Sequence, residues 1–176
     1  FARAQMYGSV LSGGLAGHVH GTGAYDLTST GEPEGWRPYI WEALRFPSGG
    51  QMRHLRDFVL SEGARYQELE PAPAALTPRT APGALADGLD GWSFLLRNPA
   101  ADFALAYFEN GAAPARLAGF APGARYRWTW FDPRTGTWSA PLTLAADPAG
   151  MLATPALPSG APATAADWAA KILRSK

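Results

Sequence analysis

The chain has 176 residues, with 15 basic and 15 acidic side chains, no cysteine and a formal net charge of zero. It is too short for a complete eight-stranded α/β barrel, which needs roughly 250 residues, and no run approaches the ~18 apolar residues of a membrane span. The balanced charge predicts no nucleic-acid partner, and the lack of cysteine excludes disulfides and thiol catalysis.

The first predicted element is a short helix over residues 4–14, which a glycine pair at 13–14 ends. Its apolar face would hold Met6, Val10 and either Tyr7 or Leu11. Residues 15–21 follow as a short run flanked by glycines. If this run is a strand, His18 and His20 share one face because the side-chain period of a strand is two.

A second helix is predicted over residues 47–60. Ser48 is its expected N-cap, because a serine side chain can accept a hydrogen bond from the first turn. Its apolar stripe at helical spacing comprises Met52, Leu55, Phe58 and Val59. Residues 70–83 then contain four prolines, which indicate either a linker or an irregular first edge strand.

From about residue 84 to 158 the pattern is all β. Apolar runs of strand length occupy residues 92–97, 103–108 and 125–131, and a return strand begins at residue 137. Short strands at this spacing are typical of an antiparallel sandwich. The final segment, 163–174, has an acidic residue early and basic residues late, which favours a short helix.

One strand carries a stripe of large aromatic residues, Tyr126, Trp128 and Trp130. The stripe could be an exposed platform for sugars, but three large aromatics on one face more often form a sandwich core. Asp132 and Arg134 follow in a Pro- and Gly-containing turn. We expect these two side chains to hold the turn or to pair locally.

Several motifs together resemble a known family. Residues 40–56 read IWEALRFPSGGQMRHLR and follow AGHVHG at 16–21, while residues 125–138 read RYRWTWFDPRTGTW and follow YFENG at 107–111. This combination resembles the C-terminal part of a bacterial glycoside hydrolase-like family. Its members pair a (β/α)8 barrel of the apiosidase type with a C-terminal β-sandwich that is often labelled a collagen-binding domain.

The resemblance implies an α/β plus all-β chain, the tail of a (β/α)8 barrel followed by an antiparallel β-sandwich. Residues 1–62 would be the C-terminal portion of the barrel, 63–158 the sandwich, and 159–176 an extension with a short helix. The catalytic carboxylates would lie upstream of this chain, so we assign no catalytic residue, cofactor or metal here. The implied partners are a carbohydrate substrate and the N-terminal barrel half, in a periplasmic or secreted protein.

His18 and His20 would then lie at the end of the last barrel strand, where they could bind sugar hydroxyls. His18 matches the family pattern G-H-x-Y-G, whereas His20 stands where that pattern has tyrosine. The alternatives are structural histidines that fix a loop, or, less favoured, a zinc site completed by Asp26.

Aromatic residues crowd the loop that follows this strand. Tyr25, Trp36 and Trp41 are the candidates for a wall of the substrate site, because aromatic faces stack on the C–H faces of sugar rings. For Trp41, packing of the second helix against the barrel is the favoured alternative. For Trp36, the glycine- and proline-rich surroundings leave both interpretations open.

Two functions from different classes remain open. In the first, the chain is the C-terminal portion of a glycoside hydrolase and contributes the rim of the substrate site and a buttressing sandwich. In the second, it is a non-catalytic carbohydrate- or matrix-binding module. A structural domain without activity is a third, less favoured possibility.

Overall fold

The structure is a computed structural model that describes residues 2–16, 45–80, 91–158 and 166–175. Within these ranges the α-helices are α1 (Ala2–Leu11) and α2 (Pro47–Val59), and 3₁₀ helices span Gly63–Glu68 and Pro73–Ala75. The strands are β1 (Glu70–Pro71), β2 (Leu76–Thr77), β3 (Ser93–Arg97), β4 (Phe103–Phe108), β5 (Arg116–Leu117), β6 (Arg125–Asp132), β7 (Thr137–Trp138), β8 (Leu142–Ala145), β9 (Leu152–Ala153) and β10 (Trp168–Arg174).

The strands form two sheets with antiparallel pairing throughout the described part of the chain. The larger, seven-stranded sheet has the order β1-β3-β4-β10-β6-β7, and β8 also pairs with β6. The smaller sheet has the order β2-β5-β9. The predicted strands at 92–97, 103–108, 125–131 and 137 are confirmed, and the proline-rich stretch supplies β1, the irregular edge strand that was one of its two interpretations.

The large sheet is covered on both faces. One face packs against the small sheet around Tyr126, Trp128 and Trp130, each at most 1% exposed. This burial confirms the core interpretation of the aromatic stripe. The other face packs against the helices, so every residue of β4 is buried. The described part of the chain is therefore a three-layer arrangement of helices, large sheet and small sheet.

The helix layer uses the apolar residues that the sequence indicated. Met6, Tyr7, Val10 and Leu11 of α1 are all buried, so both Tyr7 and Leu11 belong to the apolar face. From α2, Leu55, Phe58 and Val59 join the same core, and Met52 packs against it partly buried. Neither helix within the described ranges has the length and apolar character of a membrane span.

The prediction of a terminal helix over 163–174 is wrong. Trp168–Arg174 is β10, which lies between β4 and β6 and pairs with both. Its side chains alternate between the two cores, with Ile172 on the small-sheet side and Leu173 on the helix side. Burial on two faces produces a nearly continuous apolar run, which cannot be distinguished from a buried helix by its periodicity.

The predicted N-cap of α2 is also wrong. Phe46 occupies the N-cap position, and no side chain caps the helix. Pro47 stands at the first helical position, where its fixed φ favours the helix and its missing N–H costs nothing. The helix therefore begins two residues earlier than a cap at Ser48 would place it.

Candidate functional site

All five predicted substrate-binding residues lie outside the described residues, because His18, His20, Tyr25, Trp36 and Trp41 fall within 17–44. Their roles stay predictions. The alternative zinc ligand Asp26 falls in the same range. What the structure does describe are three features around the helix layer: a buried ion pair, a charged cleft and an apolar groove.

The buried ion pair joins α1 to the large sheet. Arg3 Nε donates to Asp167 Oδ2 at 2.9 Å, and Arg3 Nη2 donates to Asp167 Oδ1 at 2.7 Å. The hydroxyl of Tyr107 on β4 also donates to Asp167 Oδ2, at 2.9 Å. Arg3 further donates to Gln51 Oε1 of α2 at 3.3 Å. Arg3 thus connects the two helices to each other, and its ion pair with Asp167 connects them to the sheet.

Electrostatics keep this carboxylate ionised. Burial disfavours the charge of Asp167, but the hydrogen bonds and the charge of Arg3 outweigh this, and the pKa of Asp167 lies below its usual range. The same hydrogen bonds raise the pKa of Arg3. Burial, followed by the neighbouring Asp167, raises the pKa of Tyr107 well above its ordinary value. The carboxylate is therefore held ionised and paired with Arg3.

The charged cleft lies at the end of the large sheet where β10 finishes, and has a volume of about 850 Å³. Its charged lining residues are Glu62, Arg65, Asp102, Arg127 and Arg174. Ala100, Leu173 and Ser175 complete the lining. The cleft is thus built from the segment after α2, the β3–β4 turn, β6 and β10.

Both acidic residues of the cleft already have cationic partners. Arg65 contacts Asp102 at 2.7 Å, and Lys171 contacts Glu62 at 2.7 Å. A hydrogen bond from Asn98, followed by the charge of Arg65, holds the pKa of Asp102 below its usual range. Arg127 and Arg174, in contrast, have no ion pair or side-chain hydrogen bond within the described ranges.

The apolar groove lies between the two helices. Its volume is about 240 Å³, and Val10, Leu15, Met52 and Tyr66 are among its lining residues. Leu60 at its border is 44% exposed. An exposed apolar groove of this kind is typical of a surface that packs against another protein segment or domain.

Few of the described residues are suited to bind a metal ion or to act as a catalytic acid. Among them, no group of three His, Asp or Glu side chains could hold a metal ion. The carboxyl groups with resolved shifts, Asp102, Asp132, Asp147 and Asp167, all have lowered pKa values. A glycosidase general acid needs the opposite shift. Asp132 instead holds its turn as expected, accepting hydrogen bonds from the backbone N–H and Nε of Arg134 at 2.8 Å.

Sequence reasoning missed the ion pair and the cleft. Arg3 and Asp167 are 164 positions apart, and a single sequence carries no signal for a contact of that range. The sequence pattern predicts Asp167 as the acidic start of a helix, whereas in the structure it directly precedes β10, which pairs with β4.

Comparison with solved structures gives a consistent result. A glycoside hydrolase aligns with a TM-score of 0.66 and 18% identity, over 99% of this chain and 36% of that chain. A glycoside hydrolase family 5 structure from Bacteroides vulgatus ATCC 8482 aligns with a TM-score of 0.56 and 17% identity, over 79% of this chain and 27% of that chain. The chain therefore has a glycoside hydrolase-like fold and spans about a third of the length of these structures.

Sequence comparisons add no further relationship. No protein-family model matches the chain, and no curated protein matches it.

Proposed function

We propose that the chain is the C-terminal portion of a glycoside hydrolase that cleaves glycosidic bonds of poly- or oligosaccharides. The observation that carries this proposal is the alignment of 99% of the chain with only 36% of a glycoside hydrolase. The catalytic carboxylates would come from sequence upstream of Phe1, and the apiosidase-type family remains our choice among such enzymes. A bacterial, periplasmic or secreted protein fits this proposal.

In this proposal α1 and α2 are the last two helices of a (β/α)8 barrel, and the sandwich buttresses them. The apolar contacts of the helices with the large sheet and the Arg3–Asp167 pair support this role, because together they fix the helices against a rigid support. The groove between the helices would receive the N-terminal barrel half. We place the boundary between the two units near residue 62, with β10 as part of the sandwich.

The substrate site would lie in the segment between the helices. His18 and His20 would bind sugar hydroxyls, and Tyr25, Trp36 and Trp41 would form an aromatic wall against the sugar rings. Hydrolysis would use water and a pair of carboxylates flanking the scissile bond. That chemistry requires no cofactor.

The second candidate function is a carbohydrate- or matrix-binding module. The charged cleft favours it, because the cleft belongs largely to the sandwich and needs no upstream sequence. The two functions differ in one measurable property: the module would bind a saccharide without hydrolysing any.

The test is hydrolysis of a panel of aryl glycosides and plant polysaccharides by a longer polypeptide that includes the upstream sequence. We expect activity in that polypeptide, and a loss of at least about tenfold in kcat/KM for His18→Ala and Trp36→Ala. His54→Ala is the matched control, because His54 lies on α2 and contacts the Pro133 carbonyl oxygen at 3.3 Å. A folded but inactive polypeptide would refute the hydrolase proposal.

A further inference from the structure

We propose that the charged cleft binds the carboxylate of an acidic sugar, a uronate unit of a saccharide. This proposal rests on the proposed function only in choosing a sugar as the carrier of the carboxylate. The described residues that line the cleft all come after residue 61 in the sequence, whereas the predicted substrate-binding residues fall within 17–44.

The charge balance of the cleft points to an anion. Its lining contains three arginines and two acidic residues. Arg65 pairs with Asp102 and also with Glu68, and Lys171 pairs with Glu62; neither Glu68 nor Lys171 is part of the lining. The guanidinium groups of Arg127 and Arg174 therefore remain uncompensated within the described part of the chain.

The two arginines are close neighbours across the sheet. Arg127 on β6 lies opposite Leu173 on β10, on the helix side of the sheet, whereas Arg174, the next residue along β10, lies opposite Tyr126 on the other side. A guanidinium group presents a planar fork of donors that matches a carboxylate in two parallel hydrogen bonds. Both arginines line the cleft at the end of β10, so each guanidinium group can bind a carboxylate that enters there.

The rest of the lining suits a sugar ring better than a bare ion. The carboxylates of Glu62 and Asp102 are 25% and 44% exposed, so each can accept hydrogen bonds from sugar hydroxyls. Leu173 and Ala100 offer apolar surface for the C–H face of a ring. The volume of about 850 Å³ lies within the range of small-molecule sites.

The experiment is a titration of the 15N-labelled chain, followed by amide chemical shifts. Digalacturonate is the probe, lactose is the neutral control, and sodium acetate and sodium sulfate are the simple anions. We expect digalacturonate to shift amides of Ser175 and its cleft neighbours with a Kd in the millimolar range. We expect lactose to cause no such shifts and the simple anions to bind at least about fivefold more weakly than digalacturonate.

Variants show whether digalacturonate binds to the cleft or to surface charge in general. Arg127→Gln and Arg174→Gln should each weaken digalacturonate binding by about fivefold to tenfold, the loss of one charge-assisted contact. Arg53→Gln is the matched control, since Arg53 is an exposed residue of α2 outside the cleft. It should change the Kd less than about twofold. The amide spectrum of each variant reports whether the chain has kept its fold.

Three results would overturn the proposal: equal binding of lactose, equal binding of sulfate, or an equal effect of Arg53→Gln. Hydrolysis by the longer polypeptide without uronate binding would refute the proposed binding site and leave the proposed function intact. Uronate binding by a longer polypeptide that does not hydrolyse any glycoside would refute the hydrolase proposal and support this binding site.

Discussion

The Arg3–Asp167 pair provides the sharpest test of how the helices are held to the sandwich. In Arg3→Met, Asp167, whose side chain is 7% exposed in the unmodified chain, keeps the Tyr107 hydroxyl but loses its cation. Removing one partner of a buried pair costs about 3–5 kcal/mol. Because the Arg3 side chain is 28% exposed, the pair is partly solvated. We therefore expect the free energy of unfolding to fall by about 2–4 kcal/mol at pH 7.

The reverse substitution should cost less. In Asp167→Asn the unpaired group is Arg3, which can reach water, so we expect a loss of about 1–2 kcal/mol. The double variant Arg3→Met/Asp167→Asn should lose less than the sum of the single variants, because no buried charge is left alone.

The pH dependence of the loss separates a buried charge from a simple packing defect. In the unmodified chain the pKa of Asp167 is lowered, so the pair stabilises the fold above about pH 4. This contribution disappears as the pH falls through the lowered pKa. In Arg3→Met, Asp167 loses its cation and keeps only the weaker support of the Tyr107 hydroxyl, so burial raises its pKa and the loss of stability should be largest at pH 7 and shrink towards pH 4.5.

The assay is urea denaturation of the chain and its variants at pH 7 and pH 4.5. Arg56→Met is the matched control, because the Arg56–Asp57 pair has side chains that are 67% and 49% exposed. Exposed pairs of this kind contribute about 0–1 kcal/mol. A loss below about 1 kcal/mol for Arg3→Met, or a loss that is the same at both pH values, would refute a buried, uncompensated carboxylate.

Two further predictions concern the sandwich. Gly150 and Gly123 have φ values of +74° and +69°, but a Cβ at Gly150 would collide with the Phe120 carbonyl oxygen, whereas a Cβ at Gly123 meets open space. Thermal melts should therefore show a larger loss of stability for Gly150→Ala than the roughly 1–2 kcal/mol expected for Gly123→Ala. Equal losses of stability would contradict the close contact at Gly150. Deletion of residues 167–176 removes the strand between β4 and β6, so circular dichroism should show an unfolded sheet, and a cooperative melt near that of the intact chain would contradict the central position of β10.

Most of the fold could be predicted from local patterns. The run at 125–131 alternates between large aromatic and polar residues, and the apolar run at 103–108 lies between turn residues. Both helices have apolar stripes at helical spacing. The terminal strand could not be predicted because Trp168–Arg174 combines alanines with late basic residues, a pattern that fits a helix equally well. Its conformation is decided by the hydrogen bonds that β4 and β6 supply, a tertiary effect that local propensity does not contain.

The site was less predictable than the fold. The resemblance places the predicted substrate site within residues 17–44, whereas the described charged groups come from segments that are distant in sequence. Glu62, Asp102, Arg127 and Arg174 meet only because β4, β6 and β10 are neighbours in the large sheet. Without β10 in its correct place, neither the cleft nor the Arg3–Asp167 pair could be anticipated.

The most direct test of the central claim is a comparison of sugar release by this chain and by the longer polypeptide that includes the upstream sequence. Both are incubated with the same panel of glycosides, and reducing ends are measured. We predict hydrolysis by the longer polypeptide and none by the chain alone, because the catalytic carboxylates are supplied from upstream. Hydrolysis by the chain alone, or none by a folded longer polypeptide, would contradict the account.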